Sequence, residues 1–440
     1  MFEKRDYSEQ TEKMRELLET MATEAGKESE FVQRDSKMTA SCFSQTMILG
    51  SLEAGDKTLT GYVQVSADLG VEISASGLNQ RINEAGVQLL QSILGKSIQM
   101  SQQKLVESHL LEGFSSVQIL DSSYLALPKS LAEQYPGLGG RGAAGMKVWL
   151  NYDYLSGRIR ALSWGSGREP DQKSRLHVQQ AEAGSLHLFD LGFFKQEVLA
   201  ELSQKEAYFI SRYQLQTALY RDQAAKERLD LALYLRQSKA DQLSLTLFLG
   251  EKVRLPVRLV AQRLPKKVAA ARRRKAKARA KQDGRRKPPT VRTLQLLDWV
   301  IFVTNVPQEW LSVEQILLIY RLRWQIELIF KFWKSRAKLD QIGPYRLERV
   351  LCQCYARLTA LVLFHFLVAP IFAAYKQLSL PKAFSLLQHH VSRLLLAIAN
   401  AWQDLTAIWQ RFDRDLHRLG MQDKRKKSLS TYQLLLEAGL

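Results

Sequence analysis

Three acidic residues, far apart in the sequence, have the chemistry of a metal site. Asp121 and Asp190 each end a short apolar run that is typical of a buried strand, and Glu327 lies much later in a helical segment. Carboxylate oxygens that meet at a sheet edge suit hard divalent cations. Two Mg²⁺ ions roughly 4 Å apart activate a water or a 3′-hydroxyl and stabilise the leaving oxygen of a phosphodiester. Each aspartate taken alone also suits a turn or a helix cap.

A stripe of polar residues surrounds the glutamate. At about 100° per residue, Tyr320, Arg323, Glu327 and Lys334 lie within an arc of about 60° on a helix, with Lys331 beside them. Polar groups on an otherwise apolar helix are costly to bury without partners. A metal ion would bind the carboxylate, and an anion next to the metal would bind the cations. The alternative is a solvent-exposed face with i,i+4 ion pairs.

The elements that would position these residues alternate between strands and helices. Met146–Tyr154 and Gly157–Trp164 predict a hairpin with its turn at Ser156-Gly157. A helix at about Gln196–Lys205 and a strand at Tyr208–Ser211 follow. This alternation predicts an α/β fold.

The polar stripe is preceded by a strand and followed by helices. Trp299–Thr304 reads as the strand, and Ser312 or Glu314 begins the helix that contains the stripe. After Gly343-Pro344 the chain is expected to be helical to its end.

Between these two parts, residues 213–297 lack a regular pattern. They contain the strand-like segment Leu243–Leu249, and 251–290 holds sixteen Lys or Arg against two acids, densest at Arg272–Arg279. Such a run predicts a solvated, partly disordered loop. Next to a polyanion it would gain affinity by releasing counterions. A second basic run lies at Lys424–Lys427.

The first hundred or so residues are predicted to be helical. Gly61–Gly70 ends on a glycine that can cap a helix, and Ser74 or Ser76 would begin a second helix through Arg81 towards Leu94. Helix, turn and helix resemble a helix-turn-helix motif in which Arg81 faces the bases of DNA. An ordinary helical hairpin has the same pattern.

Composition limits the partner and the compartment. The net charge of +19 indicates a polyanion, either nucleic acid or an acidic membrane surface. Three cysteines and no apolar leader at the N-terminus favour a reducing, cytoplasmic location. The uncharged segment Leu358–Tyr375 approaches the length of a membrane span, but Thr359, His365 and Pro370 favour a buried core helix.

Together these motifs resemble the bacterial insertion-sequence transposases of the DDE type known as the YREK group. Their signature of Tyr, two residues, Arg, three residues, Glu, six residues and Lys is matched in full from Tyr320 to Lys334. Asp121–Pro128 and Asp190–Phe194 look like the family's two aspartate motifs, and Thr304–Pro307 resembles its pre-helix strand. The likeness covers roughly 78–361.

The resemblance implies a ribonuclease H-like catalytic core with a β-rich insertion, flanked by helical domains. With the helical patterns at both ends, the expected domains are an N-terminal DNA-binding domain at 1–110, the catalytic domain at 111–345 with its insertion at about 213–297, and a helical, dimerising C-terminal domain at 346–440. It also implies cut-and-paste transposition through a DNA hairpin. Asp121, Asp190 and Glu327 would bind two Mg²⁺ ions, with Mn²⁺ as a substitute. A homodimer would hold the terminal inverted repeats and target DNA.

The resemblance also suggests which residues contact DNA. In related enzymes a tryptophan from the last insertion strand stacks on a flipped base, and Trp299 occupies the corresponding place; a core tryptophan is the alternative. The predicted DNA-binding residues are Tyr320, Arg323, Lys334, Lys331, Trp299, Arg212 and Arg81. Two other functions stay open: a transposase-derived DNA-binding regulator that no longer cuts, and a ribonuclease H-like nuclease without strand transfer.

Overall fold

The computed structural model describes residues 7–32, 36–53, 58–102, 111–140, 142–282, 287–343, 345–403, 405–423 and 429–440. The predicted basic run Lys424–Lys427 lies outside these ranges. The chain forms two compact units. The first unit comprises the described parts of residues 1–108, 122–169 and 325–428, and the second comprises those of 109–121, 170–324 and 429–440.

The strands belong to both units, and the division between the units crosses β1 at Asp121. In chain order the strands are β1 (Ser116–Leu127), β2 (Pro136–Gly139), β3 (Gly142–Asp153), β4 (Ile159–Ser166), β5 (Ser185–Phe189), β6 (Tyr208–Arg212), β7 (Leu219–Tyr220), β8 (Gln242–Leu249), β9 (Leu255–Arg263) and β10 (Trp299–Thr304).

The helices are most numerous towards the two ends of the chain. They are α1 (Ser8–Arg15), α2 (Ala22–Glu28), α3 (Ala40–Gly50), α4 (Leu59–Asp68), α5 (Ala75–Arg81), α6 (Glu84–Gln102), α7 (Leu176–Gln179), α8 (Gln196–Gln204), α9 (Leu231–Gln237), α10 (Lys266–Gln282), α11 (Val291–Leu296), α12 (Val313–Tyr320), α13 (Trp324–Ser335), α14 (Leu347–Ala374), α15 (Leu380–Ala399), α16 (Leu405–Leu419) and α17 (Thr431–Glu437).

The sheet of the second unit has the strand order β1-β5-β6-β10-β9-β8-β7. β1, β5 and β6 run parallel, and the remaining neighbours are antiparallel. Parallel neighbours need a crossover connection, and α8 provides it between β5 and β6, as the sequence predicted. The α/β class is therefore confirmed: the chain has one large sheet, and most of its helices precede or follow the strands in the sequence.

The predicted hairpin is present in the first unit, where β3 pairs antiparallel with β4. Gly157 in its turn has φ +76°, a conformation that glycine adopts without steric cost. The Asp153 carboxylate accepts hydrogen bonds from the Ser156 hydroxyl at 2.6 Å and the Leu155 N–H at 3.0 Å. These bonds satisfy the turn's polar groups.

The N-terminal helices differ from the prediction at one point. Ser74 caps α5, its hydroxyl accepting from the Gly77 N–H at 3.0 Å. The expected continuous helix towards Leu94 is instead two helices, α5 and α6. Asn83 separates them because its side-chain oxygen accepts from the Gly86 N–H at 3.0 Å, which starts α6.

Helix α14 forms a core element of the first unit. It packs against α6 and α3. Of the described residues, Leu347–Ala373 alone is long and apolar enough to cross a membrane, and 94% of its most apolar window is buried inside the protein. Burial of this extent agrees with the predicted core helix.

The two compact units do not follow the order of the chain. Helices before residue 108 and helices after residue 325 belong to the same compact unit, because the apolar faces of α6 and α14 are buried against each other. The functional domains expected at 1–110, 111–345 and 346–440 stay predictions.

The irregular region predicted at 213–297 contains ordered elements. β8 and β9 pair along their length and β9 pairs with β10, so this region is β-rich as expected. The basic run, however, is not a loop: α10 covers its densest part. Ala, Arg and Lys have high helix propensity, which outweighed the charge repulsion used to predict disorder.

Candidate active site

The parallel register of β1 and β5 brings two of the predicted carboxylates together. Leu120 lies opposite Phe189 in the ladder, so Asp121 and Asp190 occupy the next position on each strand. Neighbouring strands are about 4.8 Å apart. The sequence placed Asp121 at a strand exit, but β1 continues to Leu127; it is the pairing with β5 that ends there.

A guanidinium group lies beside the first aspartate. Arg323 Nη1 is 3.6 Å from Asp121 Oδ2, with side-chain exposures of 15% and 23%. Partial burial limits solvent screening of this ion pair. Asp121 is thus held next to a positive charge in the absence of DNA.

Tyr320 supports the strand that carries the second aspartate. Its hydroxyl donates a hydrogen bond to the Phe189 carbonyl at 3.3 Å, and its ring packs against Phe302 with centroids 4.6 Å apart. The Arg212 guanidinium lies 5.8 Å from the ring centroid. Burial raises the pKa of Tyr320 to about 12, although Arg212 acts in the opposite direction. The phenol is therefore neutral and anchors the end of β5 just before Asp190.

The polar stripe begins on a well-capped helix. Ser312 and Gln315 form a capping box at the start of α12. Of the two residues predicted to begin this helix, Ser312 is therefore confirmed. The single predicted helix is interrupted by a 3₁₀ turn at Arg321–Arg323. Because a 3₁₀ turn winds more tightly than an α-helix, the stripe before and after it is not one regular α-helical row.

Helix α13, in the first unit, carries the remaining residues of the signature. Glu327 lies in its first turn and is half-buried, and Lys331 is exposed. Lys334 Nζ donates to the Tyr124 carbonyl of β1 at 2.8 Å. Across the described ranges, no group of three His, Cys, Asp or Glu side chains is placed to hold a metal ion. The structure thus brings Asp121 and Asp190 to neighbouring positions on adjacent strands, and the role of Glu327 stays a prediction.

The predicted base-stacking tryptophan is covered. Trp299 is 4% exposed, Arg263 lies 4.4 Å from its ring centroid, and Arg272 Nη1 donates to its carbonyl at 3.0 Å. Stacking on a base would require Arg263 to leave. The alternative, in which Trp299 is a core residue, agrees with this burial.

An exposed tryptophan lies elsewhere, and sequence reasoning missed it. Trp324 directly follows Arg323 and is 55% exposed. The available signal was its position four residues after Tyr320 and three before Glu327, which puts an aromatic ring among the polar residues of the stripe.

Arg81, the predicted reader of base edges, is engaged within the N-terminal helices. Its Nη2 donates to the Ser36 hydroxyl at 2.6 Å, and its guanidinium lies 5.8 Å from the Phe31 ring centroid. These contacts hold the guanidinium against its own unit, so Arg81 would have to leave Ser36 and Phe31 before it could contact a base. Its side chain fits the helical-hairpin alternative.

Residues 112–363 match the family model described as the transposase DDE domain, which is more than half of the chain. The chain belongs to the DDE transposase family. It is a transposase of the insertion-sequence type, an enzyme that cleaves DNA and transfers strands, and its family chemistry depends on divalent metal ions.

Related transposases match over nearly their whole length. The transposase for insertion sequence element IS231B of Bacillus thuringiensis subsp. berliner is 30% identical, over 96% of this chain and 93% of the relative. That for IS1151 of Clostridium perfringens is 26% identical, over 93% and 92%. The solved piggyBac transposase synaptic complex with hairpin DNA has a TM-score of 0.50 at 9% identity, covering 97% of this chain and 88% of that one. This likeness concerns the fold alone.

Proposed function

We propose that this transposase moves an insertion sequence by cut-and-paste chemistry, with Asp121, Asp190 and Glu327 as its catalytic carboxylates. The observation that carries the proposal is the register of β1 and β5, which puts both aspartates at neighbouring positions. Glu327 lies in the first turn of the helix that follows Arg323. We expect Glu327 to act as the third carboxylate with the aspartate pair.

The aspartate pair fits a divalent metal by the chemistry of its donors. Carboxylate oxygens are hard ligands, and Asp121 already lies 3.6 Å from a cationic group. We expect the three carboxylates to hold two Mg²⁺ ions, with Mn²⁺ as a substitute. When bound, these ions supply the Lewis acidity that activates a water or a 3′-hydroxyl and stabilises the leaving oxygen.

The chain's cations then bind the phosphates around the scissile bond. Arg323 exchanges Asp121 for a phosphate group, two oxygens of which can accept parallel hydrogen bonds from the guanidinium. Arg212 and Lys331 are exposed and contact the DNA backbone. Lys334 donates to the Tyr124 carbonyl, and we expect its ammonium group to contact phosphate as well. Tyr320 acts by holding the end of β5.

A hairpin intermediate is the expected route of excision. The piggyBac complex, a structural relative, contains hairpin DNA. Forming a hairpin strains the terminal bases, and an aromatic face that receives a base gains about 1–3 kcal/mol. Trp324 offers such a face without rearrangement, and Trp299 would offer one after Arg263 moves.

Two copies of the chain would hold the terminal inverted repeats together before insertion into target DNA. We propose the helices after residue 346 as the dimer contact, the β-rich region 213–297 as the insertion in the catalytic core, and the cytoplasm as the compartment. The helices before residue 110 are proposed to bind the repeats.

The test is excision in a purified system. The protein is incubated with Mg²⁺ and DNA carrying the native element's ends, and hairpin-capped ends are sought on denaturing gels. Asp121→Asn and Glu327→Gln are expected to abolish them. Manganese binding, followed by electron paramagnetic resonance, is expected to weaken in the same variants.

The controls remove exposed acids of the same types. Asp340→Asn and Glu133→Gln change residues on the surface and should excise at the wild-type rate. Full cleavage by both site variants would refute the metal site. Cleavage without hairpin-capped ends would refute the hairpin route alone.

A further inference from the structure

Helix α10 is a strongly basic element that the catalytic site does not use. Its seventeen residues, Lys266–Gln282, include nine Lys or Arg and no acid. Like charges three or four residues apart destabilise a helix. The high helix propensity of Ala, Lys and Arg offsets this repulsion.

One face of α10 attaches it to the second unit. Arg272 Nη1 donates to the Trp299 carbonyl at 3.0 Å, and Arg273 forms an ion pair with Asp298. Ala269 is 4% exposed on the same side. The helix is thus fixed to the start of β10 by two of its nine cations.

The opposite face presents cations to solvent in a row. Lys267, Arg274 and Lys281 are all exposed, and their seven-residue spacing keeps them within an arc of about 40°. At 1.5 Å per residue, the row is about 21 Å long. Lys277 lies beside it. Within the described ranges, the ion pair shown for this helix is the inner one between Arg273 and Asp298.

The composition of this row selects the partner. The residues between the cations are mostly Ala, which makes no hydrogen bond to base edges. The bulky apolar residue of α10 is Val268 alone, so the helix has no apolar face to insert into a membrane. A row of cations separated mostly by Ala, with no Asn, Gln or acid on the helix apart from Gln282 and no apolar face, matches the phosphate backbone of a nucleic acid.

We propose that the outer face of α10, defined by Lys267, Arg274 and Lys281, binds the sugar–phosphate backbone of duplex DNA without reading its sequence. This inference rests on the proposed DNA-cutting function and extends it. The surface adds a second DNA contact outside the carboxylate site. DNA of any sequence, such as target DNA, is a ligand for it.

The test compares two triple variants of the full chain. Lys267→Gln/Arg274→Gln/Lys281→Gln removes the row, whereas Arg236→Gln/Lys239→Gln/Lys252→Gln removes the same charges from other exposed positions of the same unit. Gln keeps helix propensity close to that of Lys and Arg, and circular dichroism checks folding. Binding to unrelated duplex DNA is measured by fluorescence anisotropy over a range of salt concentrations, in EDTA, so that no cleavage occurs.

Each lost phosphate contact lowers the slope of log K against log salt by about 0.9, so the row variant should lose about three units of slope. Its affinity should fall roughly tenfold or more at low salt, equally for element ends and unrelated duplex. A slope equal to that of the control variant would overturn the proposal, and so would a loss confined to element ends. Unchanged DNA binding with lost binding to anionic phosphatidylserine vesicles would also overturn it, in favour of a membrane surface.

Failure of this inference is distinguishable from failure of the proposed function. The binding assay contains no metal, and Asp121→Asn should show the wild-type salt slope. If the row variant loses slope while the wild-type protein does not excise, α10 binds DNA but the cut-and-paste proposal is wrong. If the wild-type protein excises and the row variant keeps its slope, the cut-and-paste proposal holds and α10 does not bind DNA.

Discussion

The aspartate pair and helix α10 lie in the same unit and hold their charged groups in opposite ways. Asp121 has Arg323 at 3.6 Å, and the strand end before Asp190 is fixed by Tyr320. The outer cations of α10 extend into solvent. Chemistry at one phosphodiester requires groups held in place before the substrate arrives. Binding to a uniform polyanion requires only charge at a suitable spacing.

The largest effect should come from removing a site carboxylate. Asp121→Asn keeps the shape of the side chain but loses its charge, so the cleavage rate should fall roughly 10³-fold or more, the upper end for losing one charge-stabilising group. DNA binding should be unchanged or slightly tighter, because one negative charge is removed. Rate and affinity are measured separately, by gel assay and anisotropy. If cleavage rate and DNA affinity fell equally, the aspartate pair would not differ from α10 in function.

Substituting Arg323 tests whether its ion pair with Asp121 affects metal binding and cleavage. In Arg323→Gln the guanidinium no longer competes for Asp121, so Mn²⁺ should bind more tightly, while cleavage should fall on the order of 10²-fold because a phosphate contact is lost. Arg321→Gln, an exposed arginine of the same 3₁₀ turn, is the matched control and should change neither. Weaker Mn²⁺ binding in Arg323→Gln would contradict the competition.

The two tryptophans should separate binding from folding. Trp324→Ala removes an exposed ring and should weaken binding to hairpin DNA by about 1–3 kcal/mol, with no change in thermal midpoint. Trp299→Ala removes a buried ring and should destabilise the protein by about 3–5 kcal/mol. Calorimetry and anisotropy are run on both. A stable Trp299→Ala protein that has lost hairpin binding would restore the original prediction for Trp299.

The smallest effect is expected for Tyr320→Phe, which loses one hydrogen bond worth about 0.5–1.5 kcal/mol. The folded pKa of about 12 lies above the ordinary value of about 10. The stability contributed by the buried neutral phenol is therefore complete below about pH 10 and is lost as the pH rises towards 12. Thermal midpoints measured from pH 8 to 11 should fall less steeply in the variant; parallel curves would exclude a role for this phenol.

Local signals in the sequence predicted much of the fold. The hairpin at Gly157, the strand Trp299–Thr304 and the Ser312 cap are confirmed, because each depends on neighbouring residues. The spacing from Tyr320 to Lys334 identified the family for the same reason. The catalytic roles of these residues stay predictions.

What the sequence did not predict depends on contacts between distant residues. Arg273 finds Asp298, which anchors a helix where charge density had predicted a disordered loop. Arg81 finds Ser36, and Arg263 covers Trp299. Side chains that look available for DNA in the sequence contact partners 25 to 45 residues away, and spacing alone cannot reveal such partners.

The pairing of Ser116–Leu120 with Ser185–Phe189 has a consequence for how the gene tolerates change. Deleting one residue from the first segment would leave an equally apolar strand that pairs with β5. Because side chains alternate between the two faces of a sheet, such a slip would send Asp121 to the face opposite Asp190. Under the catalytic roles proposed above, losing a single codon there would separate the two carboxylates and abolish excision.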